Sequence, residues 1–267
     1  MILIDDKMEK TMKFQLIIDM VKEAGDILRE RKINSIIMKG RADYVTDVDI
    51  FIQNYLKSKL KRAYPDIAFF SEEMNLNSIE ENVTTWILDP VDGTTNLMHG
   101  YNHSAISLAL AVQGEIIFGT IYDPFRKELF YAKKGEGAYL NGVLIHVAMK
   151  KELSESLLAI GTAPHNKIYA EDNFRLFCKL FMHAQDIRRS GSAALDLAYV
   201  ACGRVDAFIE KDLKIWDFAA GAILVVESGG VIGDWNKNTL KLQLKSDILA
   251  ANCFLQTLIV EEVNALE

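Results

Sequence analysis

Apolar and polar positions alternate along the first part of this chain with the period of a helix. Apolar residues recur every three or four positions from Phe14 to Leu28, and again from Ile52 to Leu60. This spacing predicts two amphipathic helices, the second of which ends before Pro65. Residues 67–70 then form a short apolar run typical of a buried strand.

Beyond residue 84 the pattern changes to short apolar runs that are separated by turn residues. The runs at 84–88, 103–112, 115–122 and 128–133 predict strands with short connections such as Gln113-Gly114. Strands joined in this way form an antiparallel meander. We expect the two N-terminal helices to cover one face of that sheet.

From about residue 151 strand-like and helical patterns alternate. Strands are predicted at 157–160 and 205–210, and helices at 174–181, 194–201, 216–227 and from Phe254 onward. Such alternation favours an α/β half. The expected organisation is an N-terminal α+β subdomain over residues 1–150 and a C-terminal α/β subdomain over residues 151–267, packed as one unit.

Composition and charge narrow the class of protein. Of the 267 residues half are hydrophobic and a quarter are charged, as in a globular protein, and the net charge of −7 argues against generic binding to nucleic acid or anionic membranes. The longest apolar run, 218–226, is too short to span a bilayer, and the first residues show no signal peptide. We therefore expect a cytoplasmic location.

The three cysteines are too widely spaced to suggest a disulfide framework or a zinc site. Cys178, Cys202 and Cys253 all lie in apolar helical patterns. They are predicted to be reduced residues of the core.

Candidate chemistry concentrates where the strand at 84–88 ends in Asp89-Pro90-Val91-Asp92-Gly93-Thr94-Thr95-Asn96. Asp89 and Asp92 can face one point across this turn, where their repulsion is costly unless a cation lies between them. Hard oxygen ligands favour Mg²⁺, Mn²⁺ or Ca²⁺ over zinc. Gly93 permits close backbone approach, and Thr94 adds a hydroxyl and an N–H group suited to phosphate. On the pattern alone, an ordinary turn followed by a helix cap remains the alternative.

Three further places carry acids at the ends of predicted elements. Asp47 or Asp49 is expected to cap the second helix, and Glu72 follows the strand at 67–70. Asp217 begins an otherwise apolar helix, where the positive end of the helix dipole favours a carboxylate. These acids and the Asp89 turn are consistent with one shared site.

Together these motifs resemble the inositol monophosphatase family of metal-dependent phosphatases. Residues 89–96 are similar to its first signature and residues 216–221 to its second, while Asp43-x-x-Thr46-x-x-Asp49, Glu72-Glu73 and residues 191–196 occur in the family's order. The resemblance covers nearly the whole chain. It implies a layered α-β-α-β-α sandwich and a magnesium-dependent phosphomonoesterase.

The resemblance also implies a set of metal ligands. Two or three Mg²⁺ ions are expected, and Mn²⁺ is expected to be able to replace them. Gln53, four residues after Asp49, stands where the family usually has glutamate, so this position lacks a charge near the metals. The implied ligands are Glu72, Asp89, the carbonyl of Val91, Asp92 and Asp217.

The remaining site residues follow from the same resemblance. Thr94 and Asp49 are expected to orient and deprotonate the attacking water, without a covalent phosphoenzyme, and the N–H groups of Gly93 and Thr94 are expected to bind phosphate. Glu210 is expected to contact a substrate hydroxyl. The segment Gly191, Ser192 and Ala193 is expected to line the same side.

The expected substrate is a small phosphorylated polyol, with inositol monophosphate preferred and the 2′-phosphate of NADP or fructose 1,6-bisphosphate as alternatives. The resemblance further implies a homodimer and inhibition by Li⁺. His165 is a weaker candidate for the alcohol side, while Arg188 and Arg189 are expected at a sheet end or subunit contact.

Two other functions are weighed against this one. Haloacid-dehalogenase phosphatases carry an Asp-x-Asp-Gly-Thr loop after an apolar strand, but here two residues rather than one separate the acids. A non-catalytic module that senses a phosphorylated metabolite is disfavoured by the presence of both Thr94 and Asp49.

Overall fold

The structure, a computed structural model, describes residues 12–74 and 78–265. The opening residues on which the signal-peptide prediction rests lie outside these ranges. Within them the chain forms seven α-helices and fourteen strands. This mixed α/β architecture confirms the predicted fold class.

Two N-terminal helices and a hairpin precede the first large sheet. Helix α1 spans Phe14–Glu30 and α2 spans Asp47–Ala63, as the helical periodicity predicts. Between them lie β1 (Ile36–Gly40) and β2 (Asp43–Thr46), paired antiparallel. The sequence pattern did not reveal this hairpin, because β1 is exposed along most of its length and has no buried face.

The start of α2 is capped by Thr46 together with Asp49, so the prediction of a capping role holds for Asp49, although Asp49 is not the N-cap residue. Thr46 is the N-cap, and its hydroxyl oxygen accepts from the backbone N–H groups of Val48 and Asp49 at 3.2 and 3.4 Å. The Asp49 carboxylate accepts from the Thr46 N–H at 3.0 Å in return. This capping box fixes Asp49 at the third helical position and turns its side chain back toward the helix start.

A seven-stranded sheet forms the centre of the N-terminal half. Its order is β3 to β9, and only the first pair is parallel, so the predicted antiparallel meander is present. Strand β4 extends further than expected and includes the acidic motif as far as Asp92. The strands are β3 Ala68–Ser71, β4 Thr85–Asp92, β5 Ala105–Val112, β6 Glu115–Asp123, β7 Glu128–Lys133, β8 Gly137–Leu140 and β9 Val143–Leu144.

A mixed five-stranded sheet forms the centre of the C-terminal half. Its order is β11-β10-β12-β14-β13, with the first three strands parallel and β14 antiparallel to both of its neighbours. The strands are β10 Leu157–Ile160, β11 Asp186–Arg188, β12 Ala207–Lys214, β13 Val231–Gly233 and β14 Lys245–Ala251. The remaining helices are α3 Thr94–Met98, α4 Ala170–His183, α5 Ala193–Ala201, α6 Ile215–Glu227 and α7 Cys253–Asn264.

Three apolar clusters hold the layers together. Because successive strand residues point to opposite faces, Trp86 packs in the cluster with α1 and α2, whereas Ile87 packs in the cluster with α5 and α6. In the smaller sheet Phe208 faces α5 and α6, and Ile209 faces α4 and α7. The order of layers is therefore helix, sheet, helix, sheet, helix, as predicted.

The cysteines were predicted to lie in the core, but two of the three do not. Cys178 and Cys253 are exposed and Cys202 is partly buried. The reason for Cys178 is visible on α4, where it lies between the exposed side chains of Phe174 and Phe181. The helical spacing was read correctly, but this apolar face of α4 points outward.

In the part of the chain that the structure describes, the helices are either too short or too polar to cross a membrane. The cytoplasmic location, the absence of nucleic-acid partners and the division of the chain near residue 150 stay predictions of the sequence.

Close packing between β6 and α6 gives a test of the central layer. A Cβ atom on Gly119 would lie 2.6 Å from Ile223 Cγ2 and 2.7 Å from the carbonyl oxygen of Ala220. We expect Gly119→Ala to lower the free energy of unfolding by about 1–3 kcal/mol, because the helix backbone must move. Urea unfolding followed by circular dichroism measures the change.

Gly40→Ala is the matched control, since its added Cβ would have no neighbour closer than 3.7 Å. It should stay within about 0.5 kcal/mol of the wild type. Equal stability of the two variants would contradict tight packing between β6 and α6.

Candidate metal and phosphate site

The end of β4 carries the predicted metal and phosphate residues in a constrained turn. Its register with β5 is irregular between Asp89 and Asp92, and Asp89 Oδ1 accepts from the Val91 N–H at 2.9 Å. Gly93 has φ +93° and caps α3. A Cβ atom there would also lie 3.0 Å from the His103 carbonyl oxygen, so both the backbone angle and the close contact favour glycine.

Three carboxylates converge from two elements. Asp89, Asp92 and Asp217 each offer one oxygen, and these oxygens lie within 4.8 Å of one another. Asp217 comes from the first turn of α6, where its side chain accepts from the Lys214 N–H at 2.7 Å. A close set of hard oxygen ligands fits a divalent cation such as Mg²⁺.

Burial and mutual repulsion disfavour the charged forms of these groups. Burial raises the pKa of Asp89 and of Asp217 well above the usual range, and the neighbouring carboxylates add to both shifts. Burial also raises the pKa of Asp92 to about 6, although hydrogen bonds oppose the shift. A bound cation would reverse this preference.

The N-terminus of α5 holds Asp92 from the other side of the site. Asp92 Oδ2 accepts from the Ser192 hydroxyl and, at 2.8 Å, from the Ala194 N–H. Ser192 is itself the N-cap of α5. The positive end of the helix thus stabilises the carboxylate. The structure therefore brings Gly191, Ser192 and Ala193 to the acidic turn although they are about a hundred residues away along the chain.

Asn96 makes a second link between the same two segments. Its Nδ2 donates to the carbonyl oxygens of His103 at 2.7 Å and Ser190 at 3.0 Å. The turn after β4 and the segment before α5 are therefore held in a defined relative position.

Glu72 lies beside this cluster with a different partner. It follows β3, and its N–H donates to the Leu88 carbonyl at 3.3 Å, which places it next to the end of β4. Lys39 Nζ lies 2.8 Å from Glu72 Oε1 and 2.9 Å from Glu73 Oε1. Burial raises the pKa of Glu72 to about 7, although Lys39 opposes this. The predicted metal ligand is thus ion-paired to a lysine that the sequence pattern did not single out.

Thr94 and Asp49 are in direct contact. Thr94 Oγ1 lies 2.9 Å from Asp49 Oδ1 and 3.0 Å from the Val91 carbonyl oxygen, so its single proton can serve either acceptor. The other Asp49 oxygen contacts the Thr46 hydroxyl. Asp49 is completely buried, and burial raises its pKa while these hydrogen bonds oppose the rise.

A cavity of about 150 Å³ opens next to the carboxylates. Glu210 lies in its wall, and Glu210 Oε1 accepts from the Ala163 N–H at 2.9 Å. Burial raises the pKa of Glu210 to about 7. The lining also includes Asp92, Asp217, Gly191, Ser192, Ala193 and His165.

Two more residues of this lining had no predicted role in the site. Arg189 directly follows β11, in agreement with the expected position at a sheet end, and it also lines the cavity, where its Nη2 lies 3.3 Å from Thr162 Oγ1. Asp196 is buried and accepts from the Ser190 hydroxyl at 2.7 Å. Their positions next to and within the 191–196 motif were the only signals available in the sequence.

Comparison with known proteins connects this geometry to one family. The model of the inositol monophosphatase family matches residues 9–267. Nus factor SuhB of Xylella fastidiosa is 43% identical over 225 residues, which cover 82% of this chain and 81% of that protein.

Solved structures give the same result. Inositol monophosphatase from Anabaena has a TM-score of 0.83 and 34% identity, covering 94% of this chain and 96% of that one. SaIMPase-II with inositol monophosphate bound has a TM-score of 0.80 and 26% identity, covering 95% of both chains.

The raised pKa of Glu210 predicts a pH dependence of stability. In the folded protein Glu210 keeps its proton up to about pH 7, whereas in the unfolded chain its pKa is the ordinary 4.5. As the pH rises between these two values, the unfolded chain loses the proton more readily, so the free energy of unfolding falls. Glu210→Gln keeps an oxygen acceptor for Ala163 and removes the charge. Above pH 7 its free energy of unfolding should exceed that of the wild type by about 2–3 kcal/mol.

Urea unfolding at pH 4.5 and pH 8, with a chelator present, measures the difference. The exposed acid Glu80, changed to glutamine, is the control and should follow the wild type. If the stability of the wild type and of Glu210→Gln changed with pH in the same way, Glu210 would have an ordinary pKa.

Proposed function

Because the chain belongs to the inositol monophosphatase family, we propose that it is a magnesium-dependent phosphatase of small phosphorylated polyols, above all inositol monophosphate. The observation that carries this proposal is the meeting of three carboxylates at a cavity whose wall contains Glu210. The Thr94–Asp49 pair beside the acidic turn supports it.

In this proposal Asp89, Asp92 and Asp217 hold the metal, with Glu72 and the Val91 carbonyl as further ligands for two or three ions. When bound, Mg²⁺ neutralises the phosphate and lowers the pKa of a coordinated water, and Mn²⁺ can take its place. To bind the metal, Glu72 must either release Lys39 or bind Lys39 with one carboxylate oxygen and the metal with the other.

Thr94 and Asp49 move the proton of the attacking water. Asp49 accepts the proton of the Thr94 hydroxyl, and the Thr94 oxygen accepts a proton of the water as it attacks phosphorus. The bond between phosphorus and the ester oxygen breaks as the new bond forms, and the departing alcohol oxygen takes a proton from solvent. Burial raises the pKa of Asp49, which makes its carboxylate a stronger base than an ordinary aspartate. The N–H groups of Gly93 and Thr94 bind the phosphate, and no covalent phosphoenzyme forms.

The alcohol portion of the substrate occupies the cavity. Glu210 accepts a hydrogen bond from one of its hydroxyl groups, while Gly191, Ser192 and Ala193 line the same side. The neighbour SaIMPase-II is described with inositol monophosphate bound, which supports a polyol ester. The name Nus factor SuhB specifies no substrate, so the proposed substrate rests on the cavity and on the structural neighbours.

Loss of one carboxylate should stop phosphate release. The wild-type protein should hydrolyse inositol monophosphate only with Mg²⁺, and a chelator should abolish the activity. Asp92→Asn should lower kcat by about 100-fold or more, because it weakens a shared metal site. Its stability should not fall, since the amide oxygen still accepts from Ser192 and Ala194 and a buried charge is removed. A phosphate-release assay and a thermal unfolding curve measure the two effects.

The control is Asp66→Asn, at an exposed acid after α2, which should keep full activity. Normal turnover by Asp92→Asn would contradict the assignment, and a phosphorylated Asp89 would revive the haloacid-dehalogenase alternative. Assays of NADP and fructose 1,6-bisphosphate under the same conditions test the alternative substrates. A protein that binds these esters but releases no phosphate would be a binding module.

We also propose that the protein is a homodimer that associates through the outer face of α4. Three large apolar side chains on α4 and one just before it are between 54% and 79% exposed. An apolar patch of this kind marks an association surface. The residues are Ile168, Phe174, Phe181 and Met182.

A charge on this face should weaken the dimer. We expect Phe181→Asp to shift the protein toward the monomer at micromolar concentration, because the carboxylate would be buried without a partner. Light scattering coupled to size-exclusion chromatography measures the mass. Val143→Asp, at another exposed apolar residue in β9, should stay dimeric. A monomeric wild type would contradict the proposal.

A further inference from the structure

His165 lines the cavity but has no part in the proposed hydrolysis. It belongs to the segment 161–166, which follows β10 and covers the Glu210 carboxylate. The Ala163 N–H donates to Glu210, and Ala163 has φ +44°, so the chain turns sharply just before His165. The imidazole therefore lies at the same cavity as the group that is expected to receive a substrate hydroxyl.

A buried carboxylate lies next to the imidazole. His165 Nε2 lies 3.5 Å from Asp212 Oδ2, and the Asp212 side chain is only 7% exposed. The same carboxylate accepts from Asn166 Nδ2 at 3.2 Å and lies 2.7 Å from Lys245 Nζ. Asp212 thus holds Asn166 by a hydrogen bond and lies near the imidazole of the preceding residue, which limits the positions of His165.

The backbone at Asp212 is unusual for a residue with a side chain. Asp212 has φ +57° and lies where the pairing of β12 with β14 shifts between Glu210 and Leu213. Glycine adopts this conformation without steric cost, and aspartate adopts it with some cost. The Asp212 carboxylate accepts from Asn166 and pairs with Lys245, contacts that a glycine at this position could not make.

We propose that His165 is a specificity-determining residue that contacts the alcohol portion of the substrate, with Asp212 as its positioning residue. Since Asp212 lies next to Nε2, Nδ1 is the ring atom through which a neutral imidazole can accept from the substrate. Glu210 takes one substrate hydroxyl and His165 takes a second. This inference rests on the proposed phosphatase function.

The substrate class that follows is a ring polyol phosphate with at least two free hydroxyl groups near the ester. An aryl ester such as p-nitrophenyl phosphate has no hydroxyl for either residue. A comparison of the two substrates therefore separates the contact made by His165 from the chemistry at the carboxylates.

The test is steady-state kinetics with inositol 1-phosphate and p-nitrophenyl phosphate. His165→Ala should raise KM for inositol 1-phosphate about three- to tenfold, the range of one lost neutral hydrogen bond, with kcat within about twofold. KM for p-nitrophenyl phosphate should not change. His165→Asn should restore part of the loss, because its side-chain oxygen lies near the position of Nδ1.

Asp212→Gly provides a second variant, since its backbone angle suits glycine and the protein should remain folded. It should raise KM for inositol 1-phosphate about two- to fivefold, because His165 is no longer held in place. His183→Ala is the control. His183 is an exposed histidine of α4 whose Nδ1 lies 2.9 Å from Glu262 Oε1, outside the lining of the cavity.

Three results would overturn the inference in different ways. Unchanged KM values in His165→Ala show that the imidazole does not contact the substrate. An equal rise for both substrates shows a general loss of packing at the cavity. A wild-type protein that releases phosphate from neither ester contradicts the proposed function, and this inference falls with it.

Discussion

Carboxylates of like charge stay close together in a buried site only where the surrounding chain holds each of them. Asp89 is held by the Val91 N–H, Asp92 by Ser192 and the start of α5, and Asp217 by the Lys214 N–H. These hydrogen bonds offset part of the cost of burial and repulsion, but the pKa values remain raised. A bound divalent cation would remove the remainder, so metal affinity and folding stability are coupled at this point.

The central helical layer makes this arrangement possible. Helices α5 and α6 lie between the two sheets, and both begin at the site. One helix start supplies donors to Asp92, and the other supplies Asp217. Since α6 packs closely against the large sheet, as at Gly119 and Ala220, a change in this packing would shift Asp217 relative to Asp89 and Asp92.

The cavity beside the carboxylates depends on contacts between β12 and the segment 161–166. Strand β12 presents Glu210 and Asp212 to the same segment, and each carboxylate accepts hydrogen bonds from it. The wall of the cavity at Glu210 is therefore positioned by β12, whereas the start of α5 belongs both to the acidic cluster and to the cavity.

The local pattern of apolar and polar residues determined most of the secondary structure of this protein and part of its site. The strong helical periods predicted most of the helices, and the acids, glycine and threonine of residues 89–94 lie close enough along the chain for their shared geometry to be predicted. Resemblance to a family then supplied the roles proposed for Glu72, Asp217 and Glu210. The apolar periodicity that predicts an element depends on a buried face, so the exposed strand β1 could not be predicted from it. The apolar face of α4 points outward, and this led to a wrong prediction for Cys178.

Only the tertiary structure decided which partners those residues meet. Lys39 reaches Glu72, Ser192 reaches Asp92, and Asp212 reaches His165, each across 33 residues or more. Periodicity reports which side of an element is apolar, since burial follows the helix or strand repeat. It carries no information about which polar groups from distant elements meet, because those contacts depend on how the layers stack and on hydrogen bonds that form only after the chain has folded.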